Sequence, residues 1–88
     1  MEKIRDSWGD LKGYKLGDYY LLKRYGFKNN YSWILTKNYW MHSAFNVEFD
    51  RALDNKEVVL VWNCKRGKEL LQKLAAGEIK LEELKRIA

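Results

Sequence analysis

The chain has no proline, a single cysteine and a single histidine. Without proline it offers neither a polyproline II ligand nor a stiff linker. One cysteine cannot close an intrachain disulfide, and with only one histidine beside it no ordinary zinc site can be assembled. No metal and no cofactor are therefore expected. Apolar runs are short: the longest covers residues 58–62, five residues, against about 20 for a membrane-spanning helix, so no membrane contact is expected. The opening Met1-Glu2-Lys3-Ile4-Arg5-Asp6 lacks an apolar signal-like core. The expected compartment is a reducing cytoplasm, in which the acceptor pattern Asn30-Tyr31-Ser32 carries no glycan. No internal repeat or low-complexity segment breaks the chain.

What the chain does have is charge and rings. Its 88 residues are 47% hydrophobic, 15% aromatic and 33% charged, with a net charge of +5. That length suits one small globular domain spanning residues 1–88, which buries only about 60–65% of its unfolded surface and depends on large side chains for its core.

Periodicity points to an α+β fold: a small antiparallel sheet of three to four strands, with helices on one face or end. Residues 19–25 and 31–37 are aromatic-rich strand candidates, joined by the turn-forming stretch 26–30. Phe45, Val47 and Phe49 alternate with polar residues, which predicts a third strand within residues 40–50. Residues 57–63 read as a central strand, apolar on both faces, with Trp62 turned inward beside Val58 and Leu60. Leu70, Leu71 and Leu74 form a helical stripe that Gly77 would terminate as a C′ residue. A second short helix, capped at Lys80 and facing inward through Leu84 and Ile87, would complete a C-terminal helical hairpin. At the other end, Ile4, Trp8 and Leu11 fit a short amphipathic helix.

Three local motifs carry chemical associations. Lys23-Arg24-Tyr25-Gly26-Phe27 resembles the RNP1 pattern of RNA-recognition motifs and cold-shock domains, although Arg24 stands where that pattern has glycine. The resemblance implies base stacking on Tyr25 and Phe27. Cys64-Lys65-Arg66-Gly67-Lys68 resembles a rhodanese active-site loop, which implies a thiolate nucleophile. The Lys and Glu at positions 68 and 69 depart from that cradle, so a structural cysteine is expected. His42 has no acidic residue within three positions to orient it, and no enzymatic activity is expected.

The functional expectation rests on where charge and rings coincide. Residues 1–44 hold eight basic and four acidic side chains, whereas residues 45–88 hold nine and eight. Residues 14–40 contain nine aromatic rings, five basic residues and one acid. One small sheet cannot easily bury nine rings, and exposed rings interleaved with cations suit unpaired nucleic acid. The chain is therefore expected to be a non-enzymatic binding protein. It would contact single-stranded DNA or RNA through Lys23, Arg24, Tyr25, Phe27, Lys28, Tyr31, Trp33 and Lys37. The alternative partner is a larger protein, since rings and arginine also make interface hot spots. The chain would then be a small standalone inhibitor or adaptor of a nucleic-acid enzyme, of the phage type. An edge strand, 18–25 or 31–37, would also allow pairing across a two-fold axis into a homodimer.

Overall fold

The computed structural model describes residues 1–88, the side chain of Asn29 apart. Its centre is a five-stranded, wholly antiparallel sheet in sequence order: β1 (Glu2–Arg5), β2 (Leu11–Leu16), β3 (Tyr19–Tyr25), β4 (Tyr31–Thr36) and β5 (Val58–Val61). Helix α1 (Asn46–Asp54) lies between β4 and β5 in the chain, and α2 (Cys64–Ala75) follows β5. The class is α+β, with five strands rather than three or four.

The two helices cover opposite faces of the sheet, not one face as expected. Alternation along β3 explains how. Leu21 points to the α2 side, where it packs with Leu35, Val59, Leu70, Leu71 and Leu74. Leu22 points to the α1 side and packs with Ile34, Val58, Phe49, Ala52 and Leu53. The middle of the sheet is thus apolar on both faces, as the unbroken aliphatic run of β5 implies. Helix α2 comes closest at Gly67, where an added Cβ would run into the Leu21 methyls, with Cδ2 at 2.8 Å.

Three expected elements are replaced. The N-terminal helix is instead β1 and a tight turn. The Asp6 carboxylate accepts the backbone N–H groups of Trp8 and Asp10, each at 2.9 Å, and Gly9 takes a positive φ of 84°. An aspartate that captures its own backbone competes directly with helix. The expected third strand is a 3-10 turn (Tyr39–His42) followed by α1. The period of two at Phe45, Val47 and Phe49 is local, whereas Phe49, Ala52 and Leu53 are buried at helical spacing, with Phe45 and Val47 left in solvent.

The expected C-terminal hairpin is only a 3-10 turn (Leu81–Glu83), because Lys80 makes no side-chain capping bond. The chain then runs beside β5 in parallel: Arg86 and Ala88 carbonyls accept from the Leu60 and Trp62 amides, and the Ala88 amide donates back to Leu60. Gly77 does end α2 as C′. Its φ is 76°, and the Glu78→Lys73 and Gly77→Leu74 bonds form a Schellman motif.

This topology removes the expected dimer edge. β3 and β4 are each paired on both sides, so neither 18–25 nor 31–37 presents free backbone. β1 is the open edge, and residues 86–88 cover the other. Among the described residues no helix is long and apolar enough to cross a membrane.

Candidate nucleic-acid interface

The two-residue turn Gly17-Asp18, with Gly17 at φ 60°, fixes the β2–β3 register, pairing Leu16 with Tyr19. The β3–β4 register pairs Lys23 with Trp33 and Tyr25 with Tyr31. Alternation puts these four side chains on the face that α2 covers further along the sheet. The rings run in a line: Tyr14 stacks on Trp33 (centroids 6.4 Å apart), Trp33 meets Tyr31 edge-on (5.9 Å), and Tyr31 meets Tyr25 (5.5 Å). Tyr14 is buried, Trp33 half-buried, and Tyr31 and Tyr25 exposed. The stripe therefore grades from core to solvent.

Two lysines sit on this stripe. Lys23 Nζ lies 4.8 Å from the Tyr31 ring centre and 5.6 Å from that of Trp33. Lys68, from α2, places its Nζ 4.4 Å from the Tyr14 ring centre. A hydrogen bond with the Tyr14 side chain is the main reason the Lys68 ammonium is held above its ordinary pKa, with Cys64 adding to the effect. At the tip, the Phe27–Asn29 turn exposes Phe27 (83%), and Lys28 adopts a left-handed φ of 57° with its Nζ 5.6 Å from the Phe27 ring centre. Cations at these distances from ring faces interact by about 0.5–1 kcal/mol when exposed, weak enough for a ligand to replace them.

Six of the eight expected contact residues thus gather at one end of the sheet: Lys23, Tyr25, Phe27, Lys28, Tyr31 and Trp33. The other two do not. Arg24 faces α1, where it donates to the carbonyls of Met41 and Ala44, each at 2.8 Å, and lies 3.9 Å from the Phe49 ring centre. Burial lowers its pKa and Asp50 opposes the shift; the side chain is occupied in tying the 39–46 segment to the sheet. Lys37 sits beyond β4 with its Nζ 5.2 Å from the Tyr19 ring centre. It is at the opposite end of β3 from Tyr25, roughly 20 Å away at strand rise.

Sequence reasoning left out three residues here. Trp62, expected inside, is 81% exposed, because β5 ends at Val61 and the chain turns into the Asn63 cap of α2. Tyr14 and Lys68 come from β2 and α2, and only the packing of those elements brings them to Trp33.

The two helices differ in charge. Helix α2 carries four basic residues and one acid, whereas α1 carries one basic residue and three acids. The remaining motifs stay apart. Cys64 packs half-buried in the α2-side cluster. His42 belongs to the turn packed on the other face, 4.6 Å from the Tyr39 ring. The rhodanese-like stretch is the first turn of α2. In the RNP1-like stretch, Lys23 and Tyr25 share a face while Arg24 points away. Among the described residues no group of three or more His, Cys, Asp or Glu is placed to hold a metal ion. Comparison with protein-family models, curated proteins and solved structures finds no match for this chain.

Proposed function

We propose that this chain is a non-enzymatic binding protein that takes single-stranded DNA or RNA on the aromatic end of its sheet. The observation that carries the reading is Lys23 poised over Tyr31 and Trp33. Bases would stack on Tyr25, Tyr31 and Phe27 while Lys23 and Lys28 swing from ring faces to phosphates, exchanging a weak cation–π contact for a charge-assisted one. Arg24 has no part in this exchange, since releasing it would leave two backbone carbonyls unpaired. Lys37 lies at the other end of β3, outside the cluster that Lys23 and Lys28 form with the rings at the turn.

Fluorescence anisotropy with a labelled eight-nucleotide thymidine strand, at 50 mM salt and with increasing salt, tests the reading. Binding that weakens with salt, and that falls on Tyr31→Ala without loss of fold, is expected. No binding to single-stranded DNA or RNA at 50 mM salt would refute it. A protein partner is the second reading, favoured by the apolar surface of Phe27, Trp62 and Ile87 at this same end, all exposed. A pulldown from lysate that nuclease leaves intact, and that Trp62→Ala abolishes, would select it.

A further inference from the structure

Exposed apolar side chains are not spread evenly over this fold. In an antiparallel sheet of sequence order, the β1–β2 turn, the β3–β4 turn and the exit from β5 into α2 all lie at one end. Each of the three carries a large ring: Trp8 is 85% exposed, Phe27 83% and Trp62 81%. Strands pack about 4.8 Å apart, so the first two turns are about 10 Å from each other and Trp62 leaves the sheet about 7 Å further along. The end is apolar beside both faces of the sheet. Tyr25 and Tyr31 are exposed on the α2 side. On the α1 side Phe45 is exposed next to Asn46, which reaches Arg24 near the end of β3.

Each tip has a cation at hand. Arg5 donates to the Gly9 carbonyl at 2.9 Å, in the turn that carries Trp8. Lys28 Nζ lies 5.6 Å from the Phe27 ring centre. Lys65, in the first turn of α2, is exposed and follows Trp62 closely in the chain. The acids in these turns are Asp6 and Asp10. The Asp6 carboxylate is spent on two backbone amides, which leaves Asp10 as the exposed one.

We infer that this end of the molecule docks on an anionic lipid bilayer, with Trp8, Phe27 and Trp62 in the headgroup region and Arg5, Lys28 and Lys65 on lipid phosphates. The inference does not rest on the proposed function, although Phe27 and Lys28 belong to both surfaces. Short apolar runs exclude a spanning helix, not contact with a bilayer surface. The occupant follows from the arrangement of the rings. They stand as separate points in water around one end of the sheet, not as the wall of a groove. A single strand follows one face, and a folded partner needs a complementary cup. A bilayer interface closes around separate points without a matching shape. Tryptophan suits that depth, where its apolar body and its N–H both find their surroundings. Cations beside apolar side chains add attraction to a negatively charged leaflet.

Co-sedimentation with phosphatidylcholine vesicles carrying about 30% phosphatidylserine, at about 100 mM salt, tests this. Wild type should pellet with these vesicles and pellet less with phosphatidylcholine alone. Trp8→Ala and Trp62→Ala should each lower the partition coefficient at least about fivefold. Both positions are exposed, so unchanged melting is expected. Trp40→Ala is the control. Trp40 is exposed too, but its turn packs through Tyr39 on Tyr20, near the start of β3 and away from this end, so the variant should partition like wild type. Three results overturn the inference: wild type left in the supernatant with anionic vesicles, equal pelleting without phosphatidylserine, or Trp40→Ala losing as much as Trp8→Ala. Each of them leaves the proposed function standing if the thymidine strand still binds. Pelleting with anionic vesicles but no strand binding overturns the proposed function alone.

Discussion

Trp62 and Ile34 show how far exposure decides the weight of a single side chain. Ile34 is fully buried, so Ile34→Ala should cost about 2–5 kcal/mol. Trp62 is mostly in water, and Trp62→Ala should leave folding stability within about 0.5 kcal/mol of wild type. Thermal melts of the two variants check this; comparable losses would mean that Trp62 is packed after all. His42 adds a pH dependence. Its Nε2 is buried without a hydrogen-bond partner among the described residues. Burial, then Lys12 and Arg24, lower its pKa from the ordinary value. The unfolded chain thus binds a proton more readily than the folded one. Stability is full above about pH 6.5 and declines as pH falls from there toward the depressed folded value. Denaturant midpoints at pH 7.5 and 5.5 should differ less in His42→Phe, which keeps a ring against Tyr39 and Trp40. Equal differences in both proteins would show that His42 plays no part in the acid response.

At the level of elements, α2 is held by two glycines with different roles. Gly67 allows close approach to the fully buried Leu21. In an exposed helix alanine would gain up to about 1 kcal/mol over glycine. Here the Cβ overpacks the contact, at a typical cost of about 1–3 kcal/mol. Gly67→Ala should therefore be destabilising, and a rise in melting temperature would mean that α2 sits further from β3. Gly77 is different: nothing lies within 4 Å of an added Cβ, but its φ of 76° strains any L-residue. Gly77→Ala should cost about 1 kcal/mol. At the free edge, β1 is short and carries Glu2, Lys3 and Arg5, the charged composition that discourages strand addition.

For the whole molecule, helix α2 is net basic and helix α1 net acidic, and the salt response of binding should report which side is used. Phosphate contacts from Lys23 and Lys28 give an expected log–log slope of about −1.4, and of about −2.1 if Lys68 joins them. Lys23→Ala should flatten the slope by about 0.7, whereas Arg51→Ala, on the α1 side, should leave it unchanged. An equal response to both substitutions would place the ligand elsewhere, or show binding to net charge alone.

The strong local patterns were legible in the chain. The paired aromatic strands, the aliphatic strand before α2, the leucine stripe of α2 and its Gly77 stop all follow from period and turn chemistry that few residues define. So did the crowding of rings and cations at the β3–β4 turn, because neighbours in sequence across a hairpin are neighbours in space. Residues 45–50 were not legible, since three alternating apolar residues fit a strand until the helical spacing of Phe49, Ala52 and Leu53 is included. Nor was the N-terminus, where the Asp6 carboxylate captures its own backbone and Ile4 and Leu11 pack on opposite faces of the sheet.

Only the tertiary structure decided which helix would cover which face of the sheet, that Arg24 would be bound internally while Lys23 stayed on the rings, and that Trp62 would stand in solvent. Alternation assigns residues to opposite sides of a strand, but which side meets a helix depends on where distant elements dock, and no spacing within the strand carries that information.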